Sequence, residues 1–284
     1  MKNIVTILSI LLLSSCNKVK QENASVKDQE DDKITITPVE PDNGIGDGAM
    51  SIANLHIQNI EKAHKKSDFF AHKAISFDIN ISFGGKERLD AKMTMLTNST
   101  KIRIDKKDGS SLIYNGEKVF LSPPEANDKG ARFDMFTWSY FFALPYKLND
   151  PGTSLELQEM RVLDTIQHQT AKLTFEKNVG DSPDDWYILY TDPKENILKA
   201  AAYIVTFGST GNTEKAESDP HIIQYNDFVD LEGIPFATTW DFYGWTAEKG
   251  VTDTLGKTTI SNITFLQDEG TVFHPPSSSK EINL

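Results

Sequence analysis

The sequence contains almost no cysteine, because Cys16 is the only one among 284 residues. A single cysteine excludes an internal disulfide and any zinc site built from several thiolates. Basic charge is also scarce: 29 lysines and arginines stand against 41 acids, which gives a formal net charge of −12. Such a chain lacks the basic stripes that nucleic-acid binding requires. We therefore expect no nucleic-acid partner.

Catalytic motifs are absent as well. Residues 207–211 read Phe-Gly-Ser-Thr-Gly, which has the wrong spacing for the nucleophile elbow of a serine hydrolase. No H-E-x-x-H motif and no glycine-rich loop opening a helix are present. His56 and His64 are eight residues apart without a third ligand, so we interpret them as surface or interface histidines. We expect no metal and no cofactor.

Two groups of carboxylates deserve a separate test. Asp184-Asp185, or Asp227 with Asp230, have the residue types that glycosidic cleavage uses. Carboxylates close to turns are common in proteins without any catalytic role. We therefore do not expect an enzyme.

The N-terminus has the pattern of a secretory signal. One lysine precedes a short apolar run from Ile4 to Leu13, which is too short to span a bilayer stably. Residues 13–16, Leu-Ser-Ser-Cys, closely resemble the lipobox of bacterial lipoproteins, where the cysteine thiol is acylated and the chain is cut before it. We predict a signal peptide over 1–15 and a lipid at Cys16 that holds the protein on a membrane. The alternative is a plain signal peptide with a chance cysteine.

Residues 16–48 are polar, charged and rich in proline and glycine, with only isolated apolar side chains. Such a segment buries too little surface to fold, so we predict a flexible acidic tether. Some bacterial lipoproteins carry an acidic surface-export signal directly after the lipidated cysteine. Here the acidic cluster Asp28–Asp32 comes later, and Lys18 and Lys20 occupy that place. The pattern favours an outer membrane location facing the periplasm, with the cell surface as the alternative.

The composition changes near residue 49, and we predict one folded domain over 49–276. Apolar residues recur at helical spacing from Ile52 to Ala63, and Ser51 can cap the first turn. These features predict an amphipathic helix over 51–66.

Strand patterns dominate the rest of the domain. Apolar and polar residues alternate from Ile75 to Phe83 and resume from Leu89 to Met95, with Gly84-Gly85 as the turn between them. Asn115-Gly116 is typical of a two-residue type I′ hairpin. Further strands are predicted over 102–104, 112–114, 119–121, 155–163, 170–175, 186–190, 197–207, 222–228, 236–245 and 258–265. Residues 277–284 are predicted to be a C-terminal tail.

These short strands without alternating helices indicate a mainly β (α+β) fold. We predict a curved antiparallel sheet of about 10–11 strands that forms an incomplete β-barrel, because a sheet of that width must curl or split.

One segment, residues 133–146, is dense in aromatic side chains. At helical spacing, Phe133, Phe136, Tyr140, Phe141 and Leu144 share one face, whereas Met135, Trp138 and Phe142 point elsewhere. A helix that is apolar all round is either buried on all sides or covers a site. We predict a helical lid or plug whose candidate ligand-binding residues are Phe133, Phe136, Trp138, Tyr140, Phe141 and Leu144. The alternative is ordinary core packing.

Two local sequences carry a resemblance to a known superfamily. Residues 186–193, Trp-Tyr-Ile-Leu-Tyr-Thr-Asp-Pro, followed by Ile-Leu-Lys at 197–199, resemble the strand, Asp-Pro turn and return strand of the LolA/LolB-like superfamily. Residues 227–236, Asp-Phe-Val-Asp-Leu-Glu-Gly-Ile-Pro-Phe, resemble its next hairpin. That superfamily contains periplasmic lipoprotein carriers and receptors, and this chain is most similar to its uncharacterised outer-membrane lipoproteins. The resemblance implies an N-terminal helix and a curved sheet that encloses an apolar cavity.

Two hypotheses about function follow. In the first, the protein is a lipid-anchored envelope lipoprotein whose cavity binds a hydrophobic ligand, namely a lipid, an acyl chain or a lipoprotein tail. In the second, its interior is packed without a ligand, and it acts as a structural or interaction lipoprotein with an envelope protein partner. The interior volume distinguishes them, because a ligand site requires a cavity of several hundred Å³.

Overall fold

The computed structural model describes residues 50–209 and 212–283. The predicted signal peptide (1–15), the lipid attachment at Cys16 and the tether (16–48) lie outside these ranges and stay predictions. Within them, no helix is long and apolar enough to cross a membrane.

The described residues form one large sheet with a few helices. The helices are α1 (Ile52–Ala63), α2 (Lys66–Ala71), α3 (Ala131–Ala143) and α4 (Glu214–Glu217), and a single 3₁₀ turn, Leu144–Tyr146, continues α3. The strands of the first half are β1 (Ala74–Phe83), β2 (Lys86–Leu96), β3 (Ile102–Lys106), β4 (Ser111–Tyr114) and β5 (Val119–Ser122). Those of the second half are β6 (Thr153–Leu163), β7 (Ile166–Phe175), β8 (Tyr187–Thr191), β9 (Leu198–Tyr203), β10 (His221–Leu231), β11 (Ile234–Thr246), β12 (Gly250–Leu266) and β13 (Lys280–Ile282).

The strands follow the order β13-β5-β4-β3-β2-β1-β12-β11-β10-β9-β8-β7-β6, with antiparallel neighbours throughout. Strand β12 therefore joins the two halves of the chain, and the edge strands β13 and β6 do not pair with each other. The sheet is curved and stays open. This confirms the predicted incomplete barrel, although the described residues contain thirteen strands and not ten or eleven.

Alternating side chains create the inner face of the sheet. In β1, Ile75, Phe77, Ile79 and Ile81 are buried in the main core, whereas the residues between them are polar. The turn after β1 has positive φ angles at both Gly84 and Gly85, as a type I′ hairpin requires. One face of the first strands thus carries the core, as the period of two predicts.

The hairpin between β4 and β5 differs from the predicted two-residue turn. Four residues, 115–118, connect the strands, and the Asn115 side chain accepts hydrogen bonds from the backbone N–H groups of Glu117 and Lys118 at 3.0 and 2.9 Å. Only Gly116 of the Asn-Gly pair has a positive φ. The two-residue type I′ prediction was wrong, because the asparagine side chain caps the loop instead of adopting the left-handed conformation.

The predicted N-terminal helix is confirmed as α1. Ser51 caps it by accepting a hydrogen bond from the Asn54 N–H at 3.1 Å. His56 and His64 are both buried where α1 meets the sheet: Thr191 Oγ1 lies 3.3 Å from His56, and His64 Nε2 accepts the Leu198 N–H at 2.9 Å. The two histidines therefore hold α1 against β8 and β9.

The C-terminal residues extend the sheet. Lys280, Glu281 and Ile282 pair with Leu121, Phe120 and Val119 of β5. The sequence prediction ended the domain at residue 276 and placed 277–284 in a tail, so part of that segment lies in the sheet as an edge strand. Three residues are too few for a recognisable alternating pattern.

Candidate functional site

A buried carboxylate fixes α3 to the first half of the sheet. Asp134 is fully buried, and its carboxylate lies 2.8 Å from Arg88 of β2 and 3.5 Å from Lys106 of β3. It also accepts a hydrogen bond from the Trp138 indole, one turn further along the helix, at 3.0 Å. A buried charge needs such partners. These contacts therefore fix both the position of α3 on the sheet and its rotation about the helix axis.

The side of α3 that faces β1 and β11 is packed like ordinary core. Phe142 stacks on Phe77 with ring centroids 4.1 Å apart and also lies 5.6 Å from Phe236. Trp138 is 2% exposed, and Leu144, in the turn after the helix, is fully buried. This side of the helix fills the space against the inner face of the sheet.

The opposite side of α3 borders a cavity of about 430 Å³. From α3 it is lined by Phe133, Phe136, Tyr140 and Phe141. Across from the helix it is lined by Phe175, Tyr187 and Tyr203 of strands β7, β8 and β9 and by the following residues Val205 and Phe207. The wall is therefore rich in aromatic side chains, as small-molecule sites usually are, and polar loop residues that include Lys147 and Asp181 complete it.

The structure brings four of the six candidate residues, Phe133, Phe136, Tyr140 and Phe141, to this cavity. The other two, Trp138 and Leu144, lie in the packed core, because Trp138 turns towards Asp134 and the chain leaves the helix at Leu144.

The sequence prediction missed the strand side of the wall. Tyr187 and Tyr203 are paired neighbours on β8 and β9, and their rings lie 6.2 Å apart. Alternation predicts that such residues face inward, but it does not tell which inward residues meet a void. That information appears only when α3 is placed.

One end of the cavity is polar. Asp185 lines it and accepts two hydrogen bonds from Thr206, from the backbone N–H and from the hydroxyl, both at 2.7 Å. Burial raises the pKa of Asp185 to about 6, with a further contribution from the neighbouring Asp181 and Asp184 charges, while the Thr206 hydrogen bonds oppose the rise. The cavity thus ends at a carboxylate of raised basicity.

Aromatic and charged side chains surround the mouth of the cavity. Phe207 is 41% exposed, and its ring centroid lies 6.0 Å from that of Phe133. Arg132 lies over the Phe207 ring at 5.7 Å and also forms an ion pair with Asp181 at 2.7 Å. Loop residues on both sides of the mouth are therefore held to the start of α3.

The residues around this cavity can hold a ligand through apolar contacts and hydrogen bonds. Most of its wall is apolar, and its titratable groups are tyrosines, Lys147 and the carboxylates of Asp181 and Asp185, without a histidine among them. Within the described part of the chain, no group of three or more His, Cys, Asp or Glu residues is arranged to hold a metal ion. Asp184, which the sequence suggested as the partner of Asp185 in a carboxylate pair, is exposed and does not line the cavity.

The fold is that of the LolA-like class. A crystal structure of a LolA superfamily protein from Nitrosomonas europaea superposes with a TM-score of 0.50 at 9% identity, covering 76% of this chain and 97% of that one. A DUF1329 family protein from Desulfovibrio piger gives 0.48 at 14% identity, covering 76% and 96%. A domain from Vibrio parahaemolyticus, whose name assigns it to outer membrane lipoprotein sorting, gives 0.48 at 9% identity, covering 77% and 97%.

The chain belongs to the DUF6503 family, a family of unknown function, whose model matches residues 58–242. The match begins within α1 and ends within β11, and it includes the whole of α3 and the cavity wall. A comparison with curated protein sequences finds no match. The predicted superfamily is confirmed at the level of fold.

Proposed function

We propose that this protein is a lipid-anchored lipoprotein of the cell envelope that binds an apolar ligand in the cavity beside α3. The ligand classes that fit are a lipid, an acyl chain or the acylated end of a lipoprotein. The observation that carries the proposal is the cavity itself: about 430 Å³ with a wall rich in aromatic side chains. That volume lies within the range of roughly 300–1,000 Å³ of small-molecule sites.

The cavity also argues against the structural alternative. Protein interiors are close-packed, and few of their voids exceed a water molecule. On the core side of α3 the packing reaches that standard, with Phe142 stacked on Phe77. On its other side the same helix borders a cleft of about 430 Å³ that opens to solvent, and an interior filled only by its own side chains would not leave such a cleft lined by aromatic rings.

The cellular setting in this proposal comes from the sequence. Lipidation at Cys16 and a tether over 16–48 would place the domain next to a membrane, with the outer membrane facing the periplasm favoured. The resemblance to lipoprotein carriers and receptors agrees with a binding role without catalysis. Membrane attachment then supplies the lipid surface from which a ligand is taken or to which it is given.

The experiment that tests the proposal is a fluorescence titration with N-phenyl-1-naphthylamine, an uncharged apolar probe. Val205 lines the cavity and is partly buried, so Val205→Trp should fill space and abolish probe binding. Val162→Trp makes the same substitution on β6 at a side chain that is 56% exposed, and it should bind the probe like the wild type. Circular dichroism confirms that both variants fold. Equal binding by all three proteins would reject the cavity as the binding site.

A further inference from the structure

The polar end of the cavity contains a hydroxyl without a partner. Tyr140 Oη is buried, and within the described ranges it makes no hydrogen bond. Its ring lines the cavity and lies 5.4 Å from that of Tyr187. A buried polar group left unpaired destabilises a protein, because it has given up its hydrogen bonds to water and gained none in return. An unpaired hydroxyl beside a cavity is therefore suited to a ligand that brings the missing partner.

Asp185 provides the second polar group at the same end. Thr206 occupies one of its carboxylate oxygens, Oδ1, with both of its hydrogen bonds. Among the described residues, no cation forms an ion pair with this carboxylate. The nearby cations are paired with other carboxylates: Arg132 with Asp181 at 2.7 Å, and Lys147, which itself lines the cavity, with Asp150 at 2.8 Å.

Three tyrosines, Tyr140, Tyr187 and Tyr203, line the same cavity as this carboxylate. Burial raises the pKa of all three tyrosines, and the negative charge of Asp185 adds to the rise, behind that of Asp150 in the case of Tyr140. Each tyrosine therefore keeps its proton and can donate a hydrogen bond. An ionised carboxylate has no proton to donate and can only accept hydrogen bonds. A ligand group that satisfies both kinds of partner must itself be both donor and acceptor.

Charge decides which such groups fit. An anionic head group would stand beside the Asp185 carboxylate, which has no ion-pair partner among the described residues, in a partly desolvated space where like charges repel strongly. Resting on the proposed function, we infer that the cavity takes an amphipathic ligand whose polar end is uncharged and donates a hydrogen bond to Asp185 while accepting one from a tyrosine. An acyl amide or a long-chain alcohol has this chemistry, whereas a fatty-acid anion does not.

The test compares decanamide with decanoate, which share a chain length and differ in the charge of the head group. Both are measured at pH 7.5 by displacement of N-phenyl-1-naphthylamine, after the probe affinity of each protein is known. The wild type should bind decanamide on the order of tenfold more tightly. Asp185→Asn keeps an oxygen for Thr206 and removes the charge, so it should tighten decanoate binding on the order of tenfold and erase the preference.

Two further variants separate direct contact from general electrostatics and from folding. Asp184→Asn removes one negative charge from an exposed neighbour that does not line the cavity, and it should change the ratio by less than about twofold. Tyr140→Phe should weaken decanamide binding several-fold while thermal stability stays the same or rises, because the lost hydroxyl has no partner to lose. A merely structural tyrosine would lower stability instead.

Results that reject this inference can be distinguished from results that reject the proposed function. Equal affinity for the two ligands, a wild-type preference for decanoate, or an unchanged ratio in Asp185→Asn would overturn the inference and leave apolar binding intact. Decylammonium is the third ligand, and if it binds on the order of tenfold more tightly than decanamide, the head group is a cation and the uncharged class is rejected. A wild type that binds neither the probe nor any of these ligands would overturn both proposals.

Discussion

Phe136 and Phe141 line the same cavity from the same helix, but they differ in burial and in how closely they pack against the core. Phe136 is partly buried and has Tyr114 as its aromatic neighbour, 5.3 Å away. Phe141 is 2% exposed and packs at 4.9 Å from Tyr203 and 6.1 Å from Phe242. One residue therefore belongs mainly to the wall, and the other belongs to both wall and core.

Truncation should separate these two roles. We expect Phe136→Ala to lower the free energy of unfolding by about 1 kcal/mol and Phe141→Ala by about 3 kcal/mol or more. Both should weaken binding of the naphthylamine probe. Phe70→Ala, at a ring that is 37% exposed and outside the cavity wall, should leave probe binding unchanged. Urea denaturation gives the stabilities, and similar losses for the two cavity residues would contradict this account.

His64 makes a residue-scale prediction about pH. Burial, with a smaller contribution from the Lys199 charge, lowers its pKa from 6.5 to about 3. Between pH 6.5 and 3, His64 is therefore protonated in the unfolded chain and neutral in the folded protein. The stability that neutral His64 provides is present above pH 6.5 and is lost as the pH falls, at about 1.4 kcal/mol per pH unit.

Denaturation at several pH values measures this contribution. His64→Gln should show a shallower loss of stability between pH 6 and 4 than the wild type, by the slope of one proton. His274→Gln, at an exposed histidine, serves as the control and should retain the wild-type slope. Parallel curves for wild type and His64→Gln would mean that His64 is protonated in the folded protein.

Asp185 illustrates what a residue type can and cannot reveal. The sequence singles out Asp184-Asp185 as a possible catalytic pair, and adjacent residues extend in different directions. Asp184 is exposed, whereas Asp185 accepts the Thr206 bonds and reaches the cavity. Its partner comes from 21 positions later in the chain, so local sequence holds no signal for it.

At the scale of elements, Asp134 determines where α3 lies. Its carboxylate is fully buried against Arg88 and Lys106, and one wall of the cavity depends on this position. Asp134→Asn keeps an acceptor for Trp138 and removes the charge that both cations need. We expect a loss of about 2 kcal/mol, since the cations remain partly solvated.

The matched control is Asp150→Asn, which removes a carboxylate paired with Lys147 where both side chains are partly exposed. It should lower stability by less than about 1 kcal/mol. Thermal unfolding in parallel with probe binding gives both readouts. Asp134→Asn with wild-type stability would show that α3 is positioned by apolar packing alone.

Elements were predictable to the extent that their patterns are local. The helix that Ser51 caps, the alternating strands and the hairpin at Gly84-Gly85 follow from spacing and turn chemistry. The turn type predicted for the loop after Tyr114 was wrong, because the Asn115 side chain caps this loop. An Asn-Gly sequence is compatible with both conformations. The short strand Lys280–Ile282 was missed because its pairing with β5 depends on a segment far away in the chain.

At the scale of the whole molecule, the pairing of β1 with β12 brings distant segments into one curved sheet. Sequence alone indicated the curvature, because many short antiparallel strands cannot stay flat. It did not indicate where the interior is packed and where it is open. That difference arises from the rotation of α3, whose two sides are both apolar in sequence.

The membrane attachment that we propose also concerns the whole molecule. Because Cys16 is the only thiol in the chain, Cys16→Ser should release the protein into the soluble periplasmic fraction or leave an uncleaved precursor. Deletion of residues 20–45 should instead leave it in the membrane fraction with nearly unchanged thermal stability. A processed Cys16→Ser protein that still sediments with membranes would disprove lipidation at this residue.

The central claim is that the space beside α3 holds an apolar compound. Its most direct test is mass spectrometry of organic-solvent extracts from wild type and Val205→Trp, purified in parallel from the same envelope preparation. We predict an apolar species that is enriched in the wild-type extract and absent from that of the variant, whose cavity is filled. Identical extracts from the two proteins would contradict the account.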